Sequence, residues 1–203
     1  MRISLLIEGR TEKAFLPHLR RFLASRLIGR MPHIDPVPYN GRIPTGNKLQ
    51  RVVHRLLSDR RSPADAVIAL TDVYTGKREF ADATDAKSKM RSWVGPNGLF
   101  HPHAAQYEFE AWLLVYWSDI QKLAGHNKQP PGVSPENVNH SDPPSKHLQE
   151  IFRIGSCRGG YVKARDANRI LEGKDILVSA LACPELKAFL NTILTISGGE
   201  PIK

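Results

Sequence analysis

Arg2-Ile3-Ser4-Leu5-Leu6-Ile7-Glu8-Gly9-Arg10-Thr11-Glu12 is the stretch whose reading decides the fold. Residues 2–7 are a short apolar run rich in Ile and Leu, ended by an acid and a glycine. Such a run is predicted as a strand buried on both faces of a parallel sheet. Glu8 then falls at the strand's carboxyl end, where open α/β sheets place their ligands. Gly9 lets the chain turn, and a helix begins after it. Glu12 lies four residues beyond Glu8 and can point back toward the strand end from the first helical turn. Two carboxylates near one point repel unless something neutralises them. A divalent cation does so, and Mg2+ needs only one or two carboxylates together with waters and phosphate. An equally good reading of these residues alone is a strand, a turn and a surface glutamate favoured by the positive end of a helix.

A second run has the same form. Asp65-Ala66-Val67-Ile68-Ala69-Leu70-Thr71-Asp72 is apolar and ends in an acid. Between the two runs, apolar residues from Ala14 to Leu27 recur at helical spacing, with Pro17 expected near the first turn. A proline-rich stretch, 31–46, allows a short strand near 34–39. A second amphipathic helix carries Leu49, Val52, Val53, Leu56 and Leu57, with Arg51, Arg55, Arg60 and Arg61 beside them. Beyond Asp72, a loop holds Thr75 and Gly76. A helix over 80–94, a strand over 99–106 and a helix from Tyr107 toward Trp117 follow. Residues 125–145 are polar and rich in Pro, Asn and Ser, and read as an exposed loop or insertion. Four short helices are predicted at 145–152, 163–171, 174–182 and 184–195, with a disordered tail from Ser197.

The 203 residues suit one domain: an α/β core over 1–124, the loop 125–145, and a helical extension over 146–196 that completes it. Lys and Arg number 29 against 20 acids, a net charge of +9. That excess favours a polyanion partner, with nucleic acid the leading candidate. Cys157 and Cys183 form no Cys-x-x-Cys pair, which gives no support to a zinc site and suits a reducing cytoplasm. No apolar run approaches membrane-spanning length.

Three strand ends deliver acids: Glu8 with Glu12, Asp72, and Glu108 with Glu110. The ends of adjacent parallel strands meet at one rim, so these carboxylates can converge. In a basic protein this suggests cations and phosphates together, the chemistry of metal-assisted phosphodiester cleavage. Other candidates are weaker. His101-x-His103 puts two imidazoles on one strand face but has no further ligand at a telling spacing, so exposed strand histidines are expected. Phe109, Trp112 and Trp117 can stack bases, yet their spacing beside Leu113 and Leu114 fits core. Ser156 and Cys157 have no adjacent base.

An apolar strand ending at Glu8-Gly9, followed by one ending at Asp72, resembles the Toprim domain of topoisomerases, primases and nucleases. Glu8-Gly9-x-x-Glu12 looks like the branch in the overcoming-lysogeny-defect nucleases. With Thr71-Asp72-x-Tyr74, Tyr107-Glu108-Phe109-Glu110-Ala111-Trp112-Leu113-Leu114 and Lys163…Cys183-Pro184, the sequence resembles a Toprim-like family of unknown function, family 4276. That family is often encoded beside ABC-type ATPases in bacterial defence loci. The resemblance implies a three-layer α/β fold with a small, mainly parallel sheet flanked by helices. It further implies a nuclease of DNA or RNA using Mg2+ or Mn2+, regulated by an ABC-type ATPase, with homo-oligomerisation left open. Glu8, Asp72 and Lys163 would be catalytic, and Glu8, Glu12, Asp72, Glu108 and Glu110 would supply metal ligands. Arg10, Lys77, Arg78, Arg158 and Arg165 are nominated as nucleic-acid contacts. On a helix Glu108 and Glu110 would point about 200° apart, so both face one ion only if the segment is partly extended. The sequence departs from the Toprim pattern at Asp72-Val73-Tyr74, where Asp-x-Asp is usual. The alternative implied there is a non-catalytic subunit that binds nucleic acid or the ATPase.

Overall fold

The computed structural model describes residues 1–73, 79–132, 134–138, 142–155 and 159–203. The loop residues Thr75 and Gly76, together with Tyr74 and Cys157, lie outside the described residues. Strands β1 (Arg2–Ile7), β2 (His33–Pro38), β3 (Ala66–Asp72) and β4 (Phe100–Ala105) form one parallel sheet in the order β2-β1-β3-β4. The chain leaves β1 for the β2 edge and returns on its other side as β3. The strand order therefore reverses at the carboxyl ends of β1 and β3, where such sheets open a crevice.

Alternation along the strands divides the core in two. Ile3, Leu5, Ile7, Ile68 and Leu70 face one cluster, and Leu6, Val67 and Ala69 face the other. The thin side is covered by α2 (Gly46–Leu57) and α3 (Ala83–Val94). The thick side carries α1 (Arg10–Ala24), α4 (Trp117–Ala124), α5 (Pro144–Ile154), α6 (Lys163–Leu171), α7 (Ile176–Ala182) and α8 (Pro184–Ile196). This is the parallel α/β sheet expected from the buried runs, in the three-layer, Toprim-like architecture that the resemblance implies.

Prolines in β2 are tolerated because it is an edge. The N–H groups of His33 and Tyr39 donate to the carbonyls of Met1, just before β1, and Ile7, so the intervening Pro36 and Pro38 nitrogens face away from the sheet. Pro17 lies in the interior of α1, not in its first turn. Pro17 has no N–H to give to the Lys13 carbonyl, and Lys13 is an exposed residue.

Three further expectations change. The segment after β4 is a 3-10 helix over Phe109–Tyr116 before it becomes α4. Three residues per turn brings Phe109 and Trp112 onto one side, with ring centroids 5.1 Å apart. The middle of 125–145 is anchored: Glu136 is buried, accepting the Trp112 indole N–H and the Glu185 N–H. The tail is held as well, since the Ile202 N–H donates to Asn191 Oδ1 at 2.7 Å and the Ile202 side chain is buried. No described helix is long and apolar enough to cross a membrane.

Candidate active site: an acid pocket at the carboxyl rim

Pairing of Leu6 with Ala69 brings the end of β1 beside the end of β3. Glu8, one residue past β1, accepts the Thr71 hydroxyl proton and the Asp72 N–H, the latter at 3.3 Å, both on Oε1. Asp72 Oδ1 accepts the Phe109 N–H at 2.8 Å, one of the free donors that open the 3-10 helix. The first turn of α1 supplies Glu12, which is buried, and the 3-10 helix supplies Glu110, 1 % exposed. From the start of α6, Lys163 Nζ reaches within 3.2 Å of Glu110 Oε1, an ion-pair contact without a well-directed hydrogen bond.

These groups line one cavity of about 370 Å3 together with Arg10 and Phe109. Glu8 and Asp72 sit deep in the protein yet remain partly accessible from the cavity. A larger cleft of about 700 Å3 lies against Ile28, Leu181 and the C-terminal tail, but it gathers no cluster of acids, so volume does not select the site.

The electrostatics single out the rim. Burial drives the Asp72 carboxyl well above its ordinary range, and the charges of Glu8, Glu12, Glu110 and Glu108 all push it further. Glu8 is pushed up to about 7, mostly by burial, with Glu12 adding to the rise while the Thr71 bond opposes it. Glu110 is raised to about 6 by burial against the pull of Lys163. Glu12 is raised by burial too. Burial alone would lower Lys163, but the charges of Glu110, Glu108 and Asp72 outweigh it and hold the ammonium above its usual range.

Not every nominated residue faces the cavity. Glu108 has extended backbone at the start of the 3-10 helix, and its Oε2 accepts the Ser145 N–H at 2.8 Å. It acts on Asp72 through space and lies outside the cavity lining. Arg10 is exposed at the mouth. Arg165 is engaged by Asp166 and the Gly160 carbonyl. Lys77, Arg78 and Arg158 lie outside the described residues. His103 is buried rather than exposed, with Nε2 2.9 Å from Thr192 Oγ1. Gly9 has extended backbone that any residue adopts, and an added Cβ would meet only Glu12 Oε2 at 3.6 Å, so the turn does not depend on glycine.

The sequence reading missed three contributors. Thr71 orients Glu8, and its only signal was a hydroxyl next to the strand-end acid. Tyr161 buries its hydroxyl without a well-formed hydrogen bond, and burial with the charges of Glu110, Asp166 and Glu108 raises it far above the usual range. Tyr107 adopts a positive φ of 69°, a left-handed conformation uncommon outside glycine, immediately before Glu108.

An all-oxygen donor set suits a hard divalent cation. Among the described residues no three acid, histidine or cysteine side chains already form a shell. Mg2+ does not require one, since waters and substrate phosphate complete its octahedron.

Parallel sheet, strand reversal and acid rim together define a Toprim-like α/β domain. The chain belongs to the family described as "Domain of unknown function (DUF4276)", whose model matches residues 7–194. No curated protein matches it. Its fold is similar to the C-terminal region of the Burkholderia pseudomallei OLD protein. The two share 12 % identity and a TM-score of 0.52, over 97 % of this chain and 98 % of that one. At that identity the likeness is one of fold.

Proposed function

We propose that this chain is the nuclease subunit of a bacterial antiphage defence system, a Mg2+- or Mn2+-dependent Toprim-type enzyme that hydrolyses phosphodiester bonds in DNA or RNA. The observation that carries the reading is the convergence of Glu8, Glu12, Asp72 and Glu110 with Lys163 on one cavity. The fold likeness to the OLD protein supports it, and the motif resemblance supplies the partner, an ABC-type ATPase that regulates cleavage.

Glu8 and Asp72, the acids open to the cavity, would hold the cation, with Glu12 and Glu110 behind them. When bound, the cation polarises the phosphoryl group and activates water. Burial and repulsion among the acids raise the proton affinity of both carboxylates, so protons would compete with the cation for them and ligation would be favoured as pH rises. Thr71 and the Asp72 N–H fix Glu8 Oε1 and leave Oε2 for ligation or for a proton. Lys163 is placed to balance the charge that develops on the phosphoryl oxygens. Arg10 at the mouth meets the next phosphate.

The test is cleavage of labelled DNA and RNA in Mg2+, Mn2+ or EDTA, with and without the proposed ABC-type ATPase partner. Metal-dependent cleavage that Asp72→Asn abolishes is the expected result. One feature favours the rival, a non-catalytic binding subunit: Asp72-Val73-Tyr74 lacks the second acid of Asp-x-Asp. Binding without cleavage under every metal and with the ATPase present would select that rival.

A further inference from the structure

The exposed face of α2 carries Lys48, Arg51 and Arg55 at helical spacing, and Arg60 and Arg61 follow it. Leu49 and Val53 on the opposite face are buried in the thin-side core, which fixes how the helix is turned. The helix contains no acid. None of these five side chains forms an ion pair among the described residues. Asp59 is the acid beside them, and its Oδ1 is taken by the Arg61 and Ser62 N–H groups. Some cations elsewhere find partners, as Arg165 and Arg169 hold Asp166, Lys87 holds Glu185 and Lys174 holds Asp119, while others such as Arg30, Lys122 and Arg153 form no ion pair among the described residues but do not share one helix face. Solubility alone does not require five unpaired cations in one row.

The row starts at the rim. Gly41 lines the acid cavity and donates its N–H to the Glu8 carbonyl at 2.7 Å, and α2 begins five residues later. From Lys48 to Arg55 the helix rises about 10 Å at about 1.5 Å per residue. Successive cations therefore stand about 4.5 and 6 Å apart along the axis, a pitch that suits a run of backbone phosphates.

We propose that α2 and the Arg60-Arg61 turn form a phosphate-backbone track that leads a nucleic-acid strand to the acid pocket across the thin face of the sheet. The track is built from cations, which contact phosphates and carry no sequence information, although the exposed Asn47 and His54 stand beside the row. The inference rests on the nucleic-acid reading of the pocket and adds the surface that delivers the substrate.

The experiment measures fluorescence anisotropy of labelled single- and double-stranded DNA with the full chain in EDTA, across a salt series. Because no divalent metal is present, binding is read independently of cleavage. K48E/R51E/R55E is compared with R30E/K122E/R153E, which reverses three exposed cations borne on, or just after, thick-side helices. Each lowers the net charge by six units, from +9 to +3. The α2 variant is expected to lose affinity on the order of 30-fold or more and to flatten the log K against log salt slope by about 2 to 3. The control is expected to lose about threefold or less, with little change in slope. Circular dichroism melts keep misfolding apart from lost contacts, and Arg51→Ala with Arg55→Ala gives a milder second variant. Equal losses in the two triple variants overturn the track and leave the nuclease reading standing. No binding by the unaltered chain at low salt overturns both.

Discussion

Asp72 and Asp166 are two carboxylates of one domain set in opposite company. Asp166, on α6, is fully shut off from solvent. Burial alone would raise it, yet Arg165, the Val162 N–H and Arg169 outweigh that and hold it below the ordinary carboxylate range. Asp72 receives one N–H and faces four other acids, and it is driven far upward. Burial is common to both, so burial does not mark a site. What marks it is charge the fold has gathered without neutralising, next to a cavity that admits an ion or a phosphate.

The comparison is tested hardest by isosteric neutralisation. Asp72→Asn is expected to lower cleavage on the order of 10^3-fold, comparable to removing a central electrostatic group. Asp166→Asn is expected to leave the turnover of folded molecules within a few-fold. Active-site titration combined with initial rates measures both. Similar losses of turnover in the two variants would show that the distinction between the carboxylates is not functional.

The next effect is on ligation. Saturating Mg2+, at about 100 times its Kd, should stabilise the unaltered chain by about 2.7 kcal/mol. Calorimetric melts with and without Mg2+ should show the gain in the Asp166→Asn protein and not in the Asp72→Asn protein. In metal-free buffer the order turns around. Asp166→Asn should cost about 1–2 kcal/mol, since it weakens charged hydrogen bonds whose arginine partners are 48 % and 39 % exposed and so partly screened. Urea midpoints report this, and an unchanged midpoint would remove Asp166 as the structural member of the pair.

Much of the rim was legible in advance because strands buried on both faces write themselves as unbroken apolar runs. An acid that ends such a run can only stand at the sheet's edge, which is how Glu8 and Asp72 announce themselves. Glu12 and Glu110 followed by spacing and resemblance. The 3-10 helix was not legible, because Phe109–Tyr116 is apolar almost throughout and shows no period to separate three residues per turn from 3.6. Asp166 was not legible either. Lys163-Ala164-Arg165-Asp166 reads as a solvated helical face, and only the packing of α6 against α1 turns the aspartate inward. His103 was read as exposed because nothing local reveals that α8 covers β4, bringing Phe189 and Thr192 onto the imidazole.

The smallest expected effect is also the most specific, and it concerns Glu8 in the absence of metal. In the folded chain Glu8 keeps its proton up to about pH 7, whereas a free glutamate loses it near 4.5. Between those values the folded state binds more protons. The stability this confers is full below about pH 4.5 and is lost as pH rises through about 7. His103 works in the opposite direction. Burial, with Lys87 and the neighbouring cations, pushes it down to about 3 from 6.5, so its contribution is lost as pH falls from 6.5 toward 3. The two slopes oppose one another between about 4.5 and 6.5, but Asp72, Glu12 and Glu110 are raised as well and slope with Glu8, so His103 only partly offsets the loss of stability with rising pH. Glu8→Gln removes the first slope and leaves the second, while its amide oxygen still accepts from Thr71 and the Asp72 N–H. The variant should be about 1–2 kcal/mol more stable than the unaltered chain at pH 8 in EDTA. That advantage should shrink toward zero as pH falls below about 4.5, where Glu8 becomes protonated in both states. Denaturant unfolding at a series of pH values reads the difference directly. A Glu8→Gln protein less stable at pH 8 would place Glu8 with Asp166 among the structural acids, and the contrast between the two carboxylates would no longer locate the site.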